Sequence, residues 1–234
     1  MTQQILIVGG TAGIGRELAA TYANRGARVV IAGRDSARAQ KVAAEINPAE
    51  GDGQVRGIAV DLSRPAEIHR ALADIERVDA IVLTGIRRDR NTIADYDIAG
   101  ATELAVAKLV GYTTVVHTLR SRISPTGSVL LFGGLAKDAP YPGSTTVTTV
   151  NAGVMGLVTT LSKEIAPVRV NAIHPGVVGD SPYWAGNEAV LEPARERTLT
   201  GVLPTMRDMV GGSVFLLENP SANGVNLSLN GGLA

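Results

Sequence analysis

The sequence contains no cysteine among its 234 residues. This absence excludes disulfide bonds and thiolate metal sites, and it is typical of proteins in a reducing cytoplasm. No apolar run approaches the roughly 20 residues that would span a bilayer. The N-terminus also lacks a basic stretch followed by an apolar signal core. We therefore expect a cytoplasmic protein with no membrane partner.

Neither sign of charge is in excess, because 22 lysine and arginine residues balance 22 aspartate and glutamate residues. A nucleic-acid-binding domain usually carries a clustered basic excess. The charge balance therefore argues against nucleic acid as a partner. No metal site is predicted either.

Short apolar segments alternate with segments of helical period along the chain. The predicted strands are Ile5–Val8, Arg28–Ala32, Arg56–Val60, Ala80–Leu83, Val129–Phe132, Val168–Ile173 and Val225–Leu229. The predicted helices are Gly15–Arg25, Ala37–Ile46, Ala66–Ile75, Ala101–Arg120, Ala152–Ile165 and Met206–Leu217. Strands that are apolar on both faces are typical of a buried parallel sheet. The alternation predicts an α/β fold, a Rossmann-type doubly wound parallel sheet, in a single domain over residues 1–234.

One segment, residues 179–205, interrupts this alternation before the last predicted helix. It is rich in glycine, proline, glutamate and arginine. Two interpretations stay open: a mobile lid over a substrate site, or a surface loop containing a helical turn or two.

A glycine-rich turn, GGTAGIG, occupies residues 9–15 between the first predicted strand and its helix. Glycines let the backbone approach a pyrophosphate closely, and the helix N-terminus supplies free N–H groups and a positive dipole. This position between strand and helix favours a nucleotide site over an ordinary turn. The predicted contacts are Gly9, Thr11, Gly13, Ile14 and Gly15.

The end of the second predicted strand indicates which cofactor is bound. NAD-specific domains place an acidic residue there to hold the ribose 2′-hydroxyl. Here Gly33 takes that place, Arg34 follows it, and Arg16 could approach the same side. Guanidinium groups bind a 2′-phosphate bidentately, so the sequence favours NADPH over NADH. Alternatively, both arginines are solvated helix-terminal charges, with Asp35 partly offsetting Arg34.

Asp61 and Leu62 follow the third predicted strand, where they could contact the adenine. A plain helix N-cap is the competing interpretation of this pair.

These motifs together resemble those of the short-chain dehydrogenase/reductase family over nearly the whole chain. The matching segments are VGGTAGIG at 8–15, DLS at 61–63, RVNAIHPGVV at 169–178 and NGVNLSLNGG at 223–232. The resemblance implies further cofactor contacts from Asn151, Pro175, Gly176 and Val178. It also implies a homo-oligomer, a dimer or tetramer, formed through the helices predicted at 101–120 and 152–165.

The catalytic residues of that family do not carry over. Val147 aligns with its tyrosine, Asn151 with its lysine and Gly134 with its serine, while Lys108 or a close neighbour aligns with its helix asparagine. The family's NNAG segment reads IVLTGI at 81–86. Valine cannot donate a proton, although Asn151 could still hydrogen-bond the nicotinamide ribose. Losing a general acid slows a reaction about 10²–10⁴-fold. In terms of the activation free energy, this loss is smaller than the about 7–11 kcal/mol that orientation of the reactants can contribute.

The proton for a ketone oxygen then needs another source. Tyr141, Tyr183 and His174 are candidates near the expected active-site mouth, as are the hydroxyls at 144–149. Loop packing is the alternative for Tyr141, and a structural place at a strand end is the alternative for His174. A further hypothesis is that a phenol beside the substrate ketone supplies the proton and bound water replaces it. An apolar cleft lined by residues 133–135 and Val147 would admit such a flat molecule.

The sequence therefore predicts NADPH-dependent reduction of a ketone on a small molecule. A polycyclic aromatic or polyketide-like substrate is expected, as in angucycline-like antibiotic biosynthesis. Two alternatives remain: a non-catalytic NADP-binding sensor or scaffold, and a quinone or alkene reductase whose carbanion-like product takes its proton from water.

Overall fold

The computed structural model describes residues 2–85 and 89–233. Ile86, the last residue of the IVLTGI segment, lies outside the described residues. The strands are β1 (Gln4–Val8), β2 (Arg28–Gly33), β3 (Gln54–Ala59), β4 (Val78–Leu83), β5 (Ile123–Phe132), β6 (Arg169–Pro175) and β7 (Asn226–Leu229). The helices are α1 (Gly13–Ala23), α2 (Ser36–Ile46), α3 (Pro65–Ala71), α4 (Ile98–Ala105), α5 (Tyr112–Leu119), α6 (Thr145–Glu164), α7 (Glu188–Glu196) and α8 (Met206–Glu218).

All neighbouring strands pair in parallel in the order β3-β2-β1-β4-β5-β6-β7. The order reverses direction between β1 and β4, which opens a crevice outside the carboxyl ends of these strands. The predicted α/β fold with a doubly wound parallel sheet is confirmed.

Strand β1 shows why the strands are apolar on both faces. Ile5 and Ile7 belong to the core cluster that contains residues of α1 and α8. Leu6 and Val8 belong to the opposite cluster, which contains residues of α3, α5 and α6. Because successive side chains point to opposite faces, a strand covered on both sides must be apolar at every position.

Three predicted helices differ from those in the structure. The helix predicted at Ala66–Ile75 is shorter, because α3 ends at Ala71. The segment predicted at 101–120 is a continuous helical run in which the π-turn Val106–Gly111 separates α4 from α5. Helix α6 starts at Thr145, seven residues before the predicted Ala152. Its first turns are rich in β-branched residues, which have modest helix propensity. Burial of Val147 and Val150 against α4 and the turn after β5 outweighs that propensity.

Segment 179–205 contains one helix, α7, and hydrogen bonds join its two ends to each other, to α8 and to the residues after β7. The Gly179 N–H donates to the Pro204 carbonyl at 2.8 Å, and the Met206 N–H donates to Asp180 Oδ1 at 2.7 Å. The Thr200 N–H reaches the Gly231 carbonyl at 3.1 Å. A lid function for this segment stays a prediction. Among the helices of the described residues, none is long and apolar enough to cross a membrane.

Candidate cofactor and active site

The glycine turn packs directly on the end of β4. Gly9 has a φ of +95°, and a Cβ built there would lie 2.5 Å from the Gly85 nitrogen and 2.4 Å from Thr84 Oγ1. A Cβ on Gly15 would lie 2.4 Å from the Gly9 carbonyl oxygen. These contacts require glycine at both positions and bring the turn, the start of α1 and the end of β4 together.

The first turn of α1 suits a phosphate. Its N-cap, Ala12, offers no side chain to the first helical amides. A helix N-terminus carries N–H groups without intrahelical partners and a partial positive charge. The residues of the turn therefore fit the pyrophosphate of a dinucleotide.

Near the end of β2, position 33 is crowded by Thr11, whereas Arg34 is exposed. A Cβ on Gly33 would lie 2.9 Å from Thr11 Cγ2, so an acidic side chain at position 33 would have to displace Thr11. Arg34 is exposed. Arg16 lies 3.6 Å from the carboxylates of Glu17 and Glu45, and such exposed ion pairs are weak.

Two aspartates near the predicted cofactor site have local structural roles. Asp35 caps α2, because its Oδ1 accepts from the Arg38 N–H at 2.8 Å. Asp61 Oδ1 accepts from the Ser63 N–H at 2.9 Å and from Ser63 Oγ at 2.7 Å. The N-cap interpretation of Asp61 is wrong, because the N-cap of α3 is Arg64. Leu62 is buried in the core cluster beside Gly85.

The other predicted cofactor contacts lie at the same edge of the sheet. Pro175 ends β6, and the Gly176 N–H donates to the Leu229 carbonyl at 3.0 Å, which continues the pairing with β7. Val178 is buried in the cluster that includes α8 residues. The fold therefore places this segment and the glycine turn at the carboxyl edge of one sheet.

The positions aligned with the family's serine and lysine are in contact. A Cβ on Gly134 would lie 2.8 Å from Asn151 Nδ2, so the Asn151 amide fills the space beside that backbone. Val147 is 7% exposed and packs with Leu104 and Ala136. The predicted apolar cleft is therefore wrong in one respect: the Val147 side chain lies in this buried cluster and does not face an open cleft.

His174 has both ring nitrogens engaged. The Gly134 N–H donates to Nδ1 at 3.3 Å, so Nε2 carries the ring proton and donates to Asn226 Oδ1 at 2.9 Å. A Cβ on Gly133 would lie 2.2 Å from Nδ1, so the ring packs tightly on the end of β5. These contacts link β5, β6 and β7 and favour the structural interpretation of His174 over a proton donor.

Burial lowers the pKa of His174, with the Lys137 and Lys108 charges acting in the same direction and Asn226 and Asp138 opposing it. We expect the free energy of unfolding to fall as the pH drops below about 6.5, because the unfolded chain then binds a proton that the folded ring rejects. The slope is at most about 1.4 kcal/mol per pH unit. Urea unfolding between about pH 7.5 and 5.5 measures it. His174→Gln should flatten the dependence, and exposed His69→Gln should not; equal slopes in all three proteins would contradict the assignment.

Tyr141 and Tyr183 are both exposed. Tyr141 is 51% exposed in the loop before α6, where its N–H donates to Ser144 Oγ at 2.9 Å. It lines a shallow open depression of about 370 Å³ with Thr92, Pro140, Pro142 and Thr148. The Tyr183 ring stacks edge-to-face on Trp184 at 4.6 Å. A role for either tyrosine as proton donor stays a prediction.

The structure also reveals that Lys108 forms a buried pair with Tyr112, which the aligned motifs did not predict. Lys108 lies in the π-turn, and its Nζ donates to Tyr112 Oη at 3.2 Å. The Tyr112 hydroxyl donates to the Gly85 carbonyl at 3.0 Å, with the Phe132 carbonyl at 3.5 Å. Burial raises the pKa of Tyr112, so its phenol stays protonated. The i, i+4 spacing of the two residues was the available signal.

Comparisons with known proteins identify the family. The profile of the family described as short chain dehydrogenase matches residues 3–189. The chain belongs to this family. Its fold is one that binds a nicotinamide cofactor, which agrees with the glycine turn described above.

Two curated relatives of this short-chain dehydrogenase are named as reductases. Carbonyl reductase family member 4 of Danio rerio is 27% identical over 241 residues, covering 100% of this chain and 98% of the relative. A 3-oxoacyl-acyl-carrier-protein reductase of Aquifex aeolicus is 28% identical over 243 residues, covering 97% and 96% of the two chains. A short chain dehydrogenase from Burkholderia cenocepacia, solved in complex with NADP, superposes with a TM-score of 0.88 at 23% identity, covering 99% of this chain and 97% of that one.

Proposed function

We propose that this short-chain dehydrogenase reduces a ketone on a small molecule with NADPH. The observation that carries the proposal is the glycine turn, which packs on the end of β4 beside the crevice of the sheet. The relatives named as carbonyl and 3-oxoacyl reductases support a ketone as the reacting group. A polycyclic aromatic or polyketide-like substrate, of the kind found in antibiotic biosynthesis, and a homo-oligomeric assembly belong to the same proposal.

NADPH, when bound, supplies the hydride. The turn at 9–15 and the first amides of α1 would hold its pyrophosphate. Exposed Arg34 would bind the 2′-phosphate, and Gly33 leaves no acidic side chain to repel it. Asn151 would hydrogen-bond the nicotinamide ribose through its amide.

The proton does not come from the family's usual position, because Val147 has no acidic hydrogen and is buried. Gly134 has no hydroxyl, and Asn151 occupies the space where a serine side chain would lie. We therefore assign the proton to the substrate, through a phenol next to the ketone. The lack of an acid at these positions equally favours a second candidate, an NADP-binding sensor or scaffold without turnover.

Calorimetric titration with NADPH and NADH tests the cofactor assignment. We expect Arg34→Glu to weaken NADPH binding about 10- to 100-fold, because a charged hydrogen-bonded pair is worth about 1.5–3 kcal/mol. NADH affinity should change by less than about twofold, because it lacks the 2′-phosphate. Arg120→Glu, at an exposed arginine before the amino end of β5, is the matched control and should leave both affinities unchanged.

Turnover separates the two candidate functions. With NADPH and a phenolic aromatic ketone, the reductase should oxidise one NADPH for each alcohol formed. Tight NADPH binding with no oxidation across a panel of phenolic ketones would favour the sensor. Equal affinity of the wild type for NADPH and NADH would contradict the role of Arg34.

A further inference from the structure

An apolar depression lies at the carboxyl edge of the sheet, between the loops that follow β4 and β5. Its volume of about 370 Å³ falls in the range of small-molecule sites. Ile93, from the first loop, is 83% exposed, and Tyr141, from the second, is 51% exposed. Two large exposed apolar side chains in one concave surface point to a binding site, whereas single exposed ones are ordinary.

Two buried polar residues hold the walls of this depression together. The Asn91 carbonyl accepts from the Thr145 N–H at 3.2 Å, and Asn91 Oδ1 accepts from the Asp97 N–H at 2.7 Å. Ser144 Oγ accepts from the Tyr141 N–H at 2.9 Å and donates to the Tyr141 carbonyl at 2.6 Å. The depression is therefore preformed, and a ligand does not have to order its walls.

The lining of the depression suits an uncharged aromatic group. The residues that line it in the described part of the chain are all uncharged, so a phosphate or an acidic partner would find no counter-charge among them. Thr92 Oγ1 accepts from the Asp95 N–H at 2.9 Å, and Thr148 Oγ1 lies 2.9 Å from Ser144 Oγ. Because these hydroxyls are already hydrogen-bonded within the protein, the Tyr141 ring and its neighbouring prolines dominate the surface, and aromatic rings pair favourably with such a ring.

The depression lies beside the proposed nicotinamide site. Thr148 lines it and stands three residues before Asn151 on α6. Residues three apart in a helix are neighbours, with about 5–6 Å between their Cβ atoms. The loop that carries Tyr141 starts at Gly134, and the Asn151 amide fills the space beside the Gly134 backbone. A ketone held beside Asn151 can therefore reach the depression with rings that extend away from its carbonyl.

We infer that this depression binds the aromatic rings of the substrate that lie farthest from its ketone, and that Ile93 and Tyr141 select for those rings; this inference rests on the proposed function. Tyr141 acts here through its ring and not through its hydroxyl. The protein should therefore bind a fused-ring ketone more tightly than a single-ring ketone with the same reacting group.

The test compares two ketones that share one phenol-ketone unit. 1-Hydroxyfluorenone is flat and carries a second aromatic ring, whereas 2′-hydroxyacetophenone has a methyl group in its place. Calorimetric titration of each ketone, with and without NADP⁺, gives both affinities without turnover. We expect Tyr141→Ser and Ile93→Ser to weaken binding of 1-hydroxyfluorenone about 5- to 20-fold and binding of 2′-hydroxyacetophenone less than about twofold. Tyr141→Phe keeps the ring and should bind both ketones as the wild type does.

Phe215→Ser is the matched control, because it removes an equally exposed aromatic ring from α8, on the opposite face of the sheet from α6. Both affinities should be unchanged in this variant. Equal losses for the two ketones in Tyr141→Ser and Ile93→Ser would overturn the inference, as would no loss for 1-hydroxyfluorenone or a wild type that binds neither ketone.

A second copy of the chain is the alternative occupant of the depression. Sedimentation velocity should give the same oligomeric state for the wild type and both serine variants, and loss of an oligomer in both variants would overturn the inference. A selective loss of 1-hydroxyfluorenone affinity in a protein that never oxidises NADPH would leave this site standing and refute the proposed reaction.

Discussion

Replacing Gly9 with alanine is expected to abolish measurable NADPH binding and to lower the free energy of unfolding by about 2–6 kcal/mol. Gly9 has a φ of +95°, where an alanine is strained. Its Cβ would also lie 2.5 Å from the Gly85 backbone nitrogen, which cannot move without shifting the end of β4. Strain and overpacking each contribute about 1–3 kcal/mol, and both displace the turn that would hold the pyrophosphate.

Gly156→Ala is the matched control for this substitution. Gly156 lies on an exposed position of α6, and a Cβ there meets no atom within 4 Å. Alanine should therefore stabilise the helix by up to about 1 kcal/mol and leave cofactor affinity unchanged. Urea unfolding and calorimetric titration measure both quantities. A Gly9→Ala protein with wild-type stability and NADPH affinity would refute the role assigned to the turn.

Methylation of the substrate phenol is expected to slow reduction about 10²–10⁴-fold, the usual cost of losing a general acid. The comparison is between 1-hydroxyfluorenone and 1-methoxyfluorenone at saturating NADPH. The chain offers no acid at Val147 or Gly134, so the methoxy ketone has lost its internal proton donor. Competition binding of the methoxy compound shows whether it still occupies the site, and single-turnover rates then report the chemical step.

The variants Tyr141→Phe and Tyr183→Phe distinguish a tyrosine proton donor from protonation by the substrate's own phenol. Both side chains are more than half exposed, and their removal should leave the rate for the phenolic ketone within about twofold of the wild type. If either variant binds probe and cofactor normally but loses about 10³-fold in rate, that tyrosine is the proton donor and the substrate-assisted route is wrong.

The fold was predictable because its signals are local. Strands such as β1, which is apolar at successive positions, indicate a sheet covered on both faces. The start of α6 was not predictable, because its β-branched first turns are helical only through burial of Val147 and Val150. The competing interpretation of Asp61 as an N-cap failed because its carboxylate closes a turn with Ser63 before α3 begins.

The candidate site was predictable only in part. The glycine turn follows from its motif. The alignment also shows that Gly134, Val147 and Asn151 stand where the family has its serine, tyrosine and lysine. The contact between Gly134 and Asn151 depends on how β5 and α6 pack, which no motif records. The burial of Lys108 within the segment Val106–Gly111 was not predictable either, because no sequence motif marks the change from α- to π-helical hydrogen bonding there.

Deuterium transfer from NADPH to the ketone carbon is the decisive test of the proposed reduction. The protein is incubated with 1-hydroxyfluorenone and NADPH that carries deuterium at both C4 positions of the nicotinamide, and the alcohol is analysed by mass spectrometry. We expect one deuterium on the carbinol carbon for each NADPH oxidised. Bound NADPH that transfers no deuterium to any phenolic ketone would refute the proposed reductase activity.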